Sequence, residues 1–113
     1  MSSSVFKPVQ TGNGTITLDG DVPVGQHYRL VSVTLNLNTA PTTSENYTIT
    51  LDANAGAVYD TLLYTLDLSA AAVTDLVWQP DEEIILEGGD QIEVRYDNTD
   101  TRTFGAQITF KAV

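Results

Sequence analysis

The chain has no cysteine, one histidine, one tryptophan and only five basic residues among its 113. Without cysteine there is no disulfide, no thiolate metal site and no thiol nucleophile. The single imidazole, His27, cannot build a histidine zinc site alone. A Ser–His–Asp arrangement would have to use it, and no Gly-x-Ser-x-Gly elbow accompanies it. His27 is therefore read as a strand-edge residue beside Tyr28. No run approaches the roughly 20 apolar residues of a membrane-spanning helix. The opening Met1-Ser-Ser-Ser-Val-Phe-Lys7 has no apolar stretch behind a basic region, so no signal peptide is expected, and synthesis in the cytoplasm is.

Positive charge is the scarcest resource. Fifteen acids stand against Lys7, Arg29, Arg95, Arg102 and Lys111, for a net charge of -10. The five cations are scattered. Nucleic-acid binding needs clustered cations to displace counterions from phosphate, so that class is excluded. An anionic membrane surface is disfavoured for the same reason. A basic protein surface or a divalent cation remains as a partner. Hydrophobic residues make up 42% of the chain and charged residues 18%, which is too apolar and too lightly charged for a disordered segment.

The pattern present has period two. Val31, Val33, Leu35 and Leu37 alternate with Ser32, Thr34 and Asn36. Tyr47, Ile49 and Leu51 alternate with threonines, and Ile92, Val94 and Tyr96 with Glu93 and Arg95. Phe104, Ala106, Ile108, Phe110 and Ala112 form the longest such series. Leu62, Tyr64, Leu66 and Leu68 are expected on one face of a further strand. Each series is a strand with one face buried and one wet. Turn chemistry separates them, including Gly12-Asn-Gly14, Asp19-Gly-Asp21, Asn54-Ala-Gly56 and Gly88-Gly-Asp90. No window holds a helical period, and Ser69–Val73 is too short to stand as a helix alone. The expectation is an all-β chain: an antiparallel β-sandwich, jelly-roll-like, of about eight strands. It occupies residues 14–113, behind a polar N-terminal arm at residues 1–13.

Three candidate sites follow from side-chain chemistry. Asp52-Ala-Asn54-Ala-Gly56 with Asp60 spells a partial calcium loop, oxygen side chains alternating around a glycine turn. The later bidentate glutamate of a full loop is missing, so an Asx turn is the favoured reading and Asp52, Asn54 and Asp60 are the metal candidates. Asp97-Asn98-Thr99-Asp100 is a second oxygen-rich patch with the same two readings. Paired carboxylates for glycoside hydrolysis are unspecific among so many acids, and Asp81-Glu82-Glu83 reads as a solvated loop. No catalytic residue and no cofactor is assigned.

The C-terminal third carries a family resemblance. Gly88-Gly-Asp90, an alternating strand, then Tyr96-Asp-Asn98-Thr-Asp100-Thr-Arg102-Thr-Phe104-Gly105 resembles small β-sandwich structural proteins of tailed bacteriophage virions, of the capsid decoration type. Arg29–Leu35 and Ala57–Leu62 are similar too. The resemblance implies a non-enzymatic virion protein that binds the major capsid protein or another virion protein, as a homo-oligomer with a trimer favoured. Within it, Asn98, Asp100, Arg102 and Gly105 are expected to shape a turn, with Arg102 pairing with Asp97 and Asp100. The alternatives are a phage tail or receptor-binding module recognising carbohydrate through tyrosines, and a calcium-dependent carbohydrate-binding module.

Overall fold

The computed structural model describes residues 5–113. The strands are β1 (Val5–Phe6), β2 (Val9–Gly12), β3 (Ile16–Asp21), β4 (His27–Leu37), β5 (Asn46–Asp52), β6 (Thr61–Asp67), β7 (Asp75–Trp78), β8 (Ile85–Glu87), β9 (Gln91–Tyr96) and β10 (Phe104–Ala112). Among the described residues one 3-10 turn, Ala57–Tyr59, sits between β5 and β6. The segment Ser69–Val73 forms hydrogen-bonded turns and no helix.

All pairings are antiparallel, in two sheets. The first sheet runs β1-β10-β4-β7, with β2 also on β10 and β8 also on β4; the second runs β3-β9-β5-β6. β1 and β2 share one edge of β10, and β7 and β8 share one edge of β4. Ten strands therefore fill eight positions, numbered along the chain as 1-8-3-6 in one sheet and 2-7-4-5 in the other. That order is the double Greek key of a jelly roll. Pro8 explains one of the splits. It has no N–H to donate, so it breaks the first position into β1 and β2, while its carbonyl still accepts from Ile108 N–H at 3.0 Å.

The N-terminal segment differs from the expected arm. Residues 1–4 lie outside the described residues, and 5–12 are edge strands of the sandwich, not an arm. Their polarity misleads because an edge strand here adds backbone hydrogen bonds and little core. Val5 and Val9 point to solvent, 53% and 61% exposed, and Phe6 alone packs inward, stacked 5.7 Å from Phe110.

The core lies between the sheets. Ile16, Ile49, Ile92, Val94, Ile108 and Phe110 are fully buried, each on the inward side of its pleat. Two bulges shift the expected faces. Between Ile49 and Thr50 the register slips, so that Leu63 is the extra residue of β6. Leu62 consequently faces water at 56% exposure, and Leu63 packs against the core. On β4, Ser32 faces Thr109 but Leu30 faces Phe110, so Val31 is the extra residue and Leu30 takes the buried place.

Candidate functional site

Two buried polar side chains anchor the loops, and both belong to the Gly88–Gly105 segment. Asp90 and Asn98 are the buried polar residues among those described. Asp90 follows a glycine pair with no room for side chains: a Cβ on Gly88 would lie 2.8 Å from the main chain of Pro23, Val24 and Gly25. Gly89 has φ +92° and presses against Asn54. One Asp90 oxygen accepts from Asn54 N–H at 2.8 Å and the other from Glu87 N–H at 2.9 Å. The carboxylate thereby straps the β5–β6 loop to the β8–β9 turn.

The calcium candidates sit in that strapped loop. Asp60 accepts from Ala53 N–H at 2.9 Å, so its carboxylate caps the turn that begins at Asp52. Asn54 contributes its main-chain N–H to Asp90 and its side chain to the contact with Gly89. Among the described residues no group of three or more His, Asp or Glu side chains converges where it could hold a metal ion. The arrangement closes turns and draws two loops together. Asp90, the residue that does most of this, stands outside the D-x-N-x-G motif, and its signal in the sequence is the Gly-Gly pair before it.

At the other end of the sandwich, Asn98 adopts φ +56° and is 2% exposed. Its Nδ2 donates to Gly14 O at 2.8 Å and to Arg102 O at 3.0 Å, while its Oδ1 accepts from Arg102 N–H at 3.0 Å. Asp100 accepts from the main-chain N–H groups of Thr42 and Thr43, both at 2.8 Å, and from the Thr43 hydroxyl. The Thr43 main-chain and hydroxyl bonds, then the Thr42 N–H, hold the Asp100 carboxyl down at about 2. Glu45 accepts from Thr99, and Asp67 from Ser44. The expected turn is present, but Arg102 forms no ion pair with Asp97 or Asp100 among the described residues. Threonine hydroxyls and main-chain N–H groups occupy Asp100 instead. The oxygen-rich patch is thus turn architecture that ties β9–β10 to the β4–β5 loop.

A third feature has the shape of a binding site. Where the edge strands β6 and β7 face each other across the sandwich, Tyr64 and Trp78 stack with centroids 5.9 Å apart and ring planes at 29°. They close the open side of the core, and outside them lies a groove of about 720 Å³. Gln79, Pro80, Asp81 and Glu82 from the β7–β8 loop form its lip. The volume falls within the roughly 300–1,000 Å³ typical of ligand clefts. Trp78 is half-buried at this rim. Only the packing of one sheet over the other brings Tyr64 to it.

The outer faces of the two sheets differ in charge. Across the second sheet, Asp19 and Glu93 share one row, Asp21, Gln91 and Asp52 another. Arg95 is the cation among them, 2.6 Å from Asp19 and 3.1 Å from Glu93. Across the first sheet one row is uncharged, Val9, Gln107, Thr34 and Val77, and the next, Thr11, Gly105, Asn36 and Asp75, carries a single acid. There Arg29 and Lys111 are neighbours on β4 and β10, Arg29 lies 3.9 Å from Glu83, and Asp75 and Glu87 are the acids of β7 and β8. His27 lies exposed at the start of β4, opposite Glu87.

A scan of protein-family models finds no match to this chain, and a search of curated proteins finds no significant similarity.

Proposed function

We propose that the chain is a non-enzymatic structural protein of a tailed-phage virion, a decoration protein that binds the outer surface of the head. The observation that carries this reading is the unequal charge of the two sheet faces. A protein of net charge -10 that keeps one broad face neutral and hydroxyl-rich has one face suited to lie against another protein. The first sheet would dock on the major capsid protein or a neighbouring virion protein, and the acidic second sheet would face solvent and resist self-association. The loops support the same reading, since their polar side chains are spent on turns and straps. The resemblance of the Gly88–Gly105 segment to decoration proteins points the same way, and those residues act here as folding determinants.

The test is co-sedimentation of the purified protein with phage heads stripped of their decoration protein. Binding that saturates, and that is lost when Thr34→Glu and Gln107→Glu charge the neutral face, supports the reading. Absence of binding, or equal binding by the charged variant, overturns the docking face. Light scattering should give a solution mass near three times the 12.2 kDa of one chain.

A further inference from the structure

We infer that the groove between β6 and β7 is a docking site for an extended, cationic segment of a partner protein, an arginine or lysine side chain lying over the Tyr64–Trp78 pair. Two features of the groove, and a third on the chain leading into it, converge on this occupant. The first is charge. Asp81 and Glu82 stand exposed on the lip, and among the described residues no basic side chain lines the groove. An aromatic floor beside unpaired carboxylates favours a cation, because the ring faces are electron-rich and the acids supply the counter-charge. The second is the open backbone. Among the described residues β6 pairs with β5 alone and β7 with β4 alone, so the outer edge of each has free N–H and C=O groups beside the groove. An extended segment satisfies such an edge by adding a strand. The third is an apolar ledge at the start of β6 and in the turn before it, outside the groove lining. Val58, Tyr59 and Leu62 are 87%, 61% and 56% exposed, where the β6 bulge and the preceding turn push them outward. An edge strand that presents exposed apolar residues invites pairing, and the acids on the lip of the groove select for a basic sequence.

A neutral glycan is the competing occupant of an aromatic groove, and it differs in one measurable way. A sugar stacked on Trp78 would depend little on the charge of Asp81 and Glu82, whereas a cation depends on it directly. The groove meets the sheet face used above at Val77, but the Asp81, Glu82 pair and the Thr34, Gln107 pair lie on one surface each, so their variants test the two separately.

Trp78 is the single tryptophan, so its fluorescence reports the groove without a label. The experiment titrates the intact protein with a short extended peptide bearing one arginine, the same peptide with lysine or glutamine in its place, and a panel of methyl glycosides. The expected result is a saturable change in emission with the arginine and lysine peptides that weakens as salt rises. The glutamine peptide and the glycosides should leave the emission unchanged. The Asp81→Asn, Glu82→Gln double variant, which alters exposed loop residues, should bind the arginine peptide about tenfold more weakly. A response to glycosides instead, an equal response to the glutamine peptide, or no response to any peptide would overturn the proposal.

Discussion

Asn98 offers the sharpest check on how the loops are held. Its side chain makes three hydrogen bonds, two donated to the carbonyls of Gly14 and Arg102 and one accepted from Arg102 N–H. The site is buried, so water does not replace them freely. At about 1 kcal/mol net for each, Asn98→Ala loses about 3 kcal/mol from hydrogen bonding. Alanine at φ +56° adds about 1 kcal/mol of backbone strain, because its Cβ crowds the carbonyl in the left-handed region that asparagine tolerates. The expected total is about 4 kcal/mol, a large part of the roughly 5–15 kcal/mol a domain of this kind holds. Asn98→Gly removes the strain but not the lost bonds, and should cost about 3 kcal/mol. Asn98→Asp keeps the acceptor for Arg102 N–H but turns an anion toward two carbonyl oxygens, and should be no better than alanine at neutral pH. Urea unfolding followed by Trp78 emission measures all three, provided the slope with urea is unchanged. If glycine restores full stability, the residue matters for its backbone conformation alone and the hydrogen-bond argument is wrong. A loss below about 1 kcal/mol in both the alanine and glycine variants would refute the whole account.

Gly88→Ala should destabilise more than Gly20→Ala. The first places its Cβ 2.8 Å from main-chain atoms that cannot rotate away, the second 2.7 Å from the Phe110 ring and 3.1 Å from Ile108, which can shift. Urea midpoints should show a loss of about 1–3 kcal/mol at Gly20 and more at Gly88. Burial first, then the carboxylates of Glu45, Asp100 and Asp67, push the Tyr96 hydroxyl up to about 12. Its neutral form is favoured in the folded state, so this stability is complete below the ordinary phenol value near about 10 and is lost as pH rises from there through about 12. Tyrosinate absorbance should therefore rise at Tyr96 together with loss of the folded Trp78 signal. Asp100 has the opposite sign: its contribution is present above the ordinary carboxylate value and lost as pH falls from about 4 to about 2. Asp100→Ala should flatten that part of the acid unfolding curve. Chelator should leave the melting temperature unchanged, because the Asp60 and Asp90 carboxylates accept from main-chain N–H groups, and a clear fall would restore the calcium reading of Asp52, Asn54 and Asp60.

The all-β class and the antiparallel sandwich were legible because buried and wet faces alternate with period two, although ten strands stand where about eight were expected. That signal is local. It is clean at Phe104–Ala112 and Gln91–Tyr96, where each strand packs one face on the core. It failed where a partner strand decides the outcome. The bulges at Val31 and Leu63 are properties of a pair of strands, since the extra residue exists only relative to the neighbour's register. The edge strands at residues 5–12 were read as an arm because an edge position needs backbone hydrogen bonds more than apolar side chains. The Gly88–Gly105 pattern was visible as a motif, but its physics was not, since Asn98 reaches Gly14 and Asp90 reaches Asn54 across large separations in sequence. The groove was the least legible of all. Tyr64 and Trp78 lie on edge strands of different sheets, and only the closing of one sheet over the other brings them into contact. Alternation along a strand is written into the order of residues, whereas contacts between strands arise from the path the chain takes between them, and local pattern carries no record of that path.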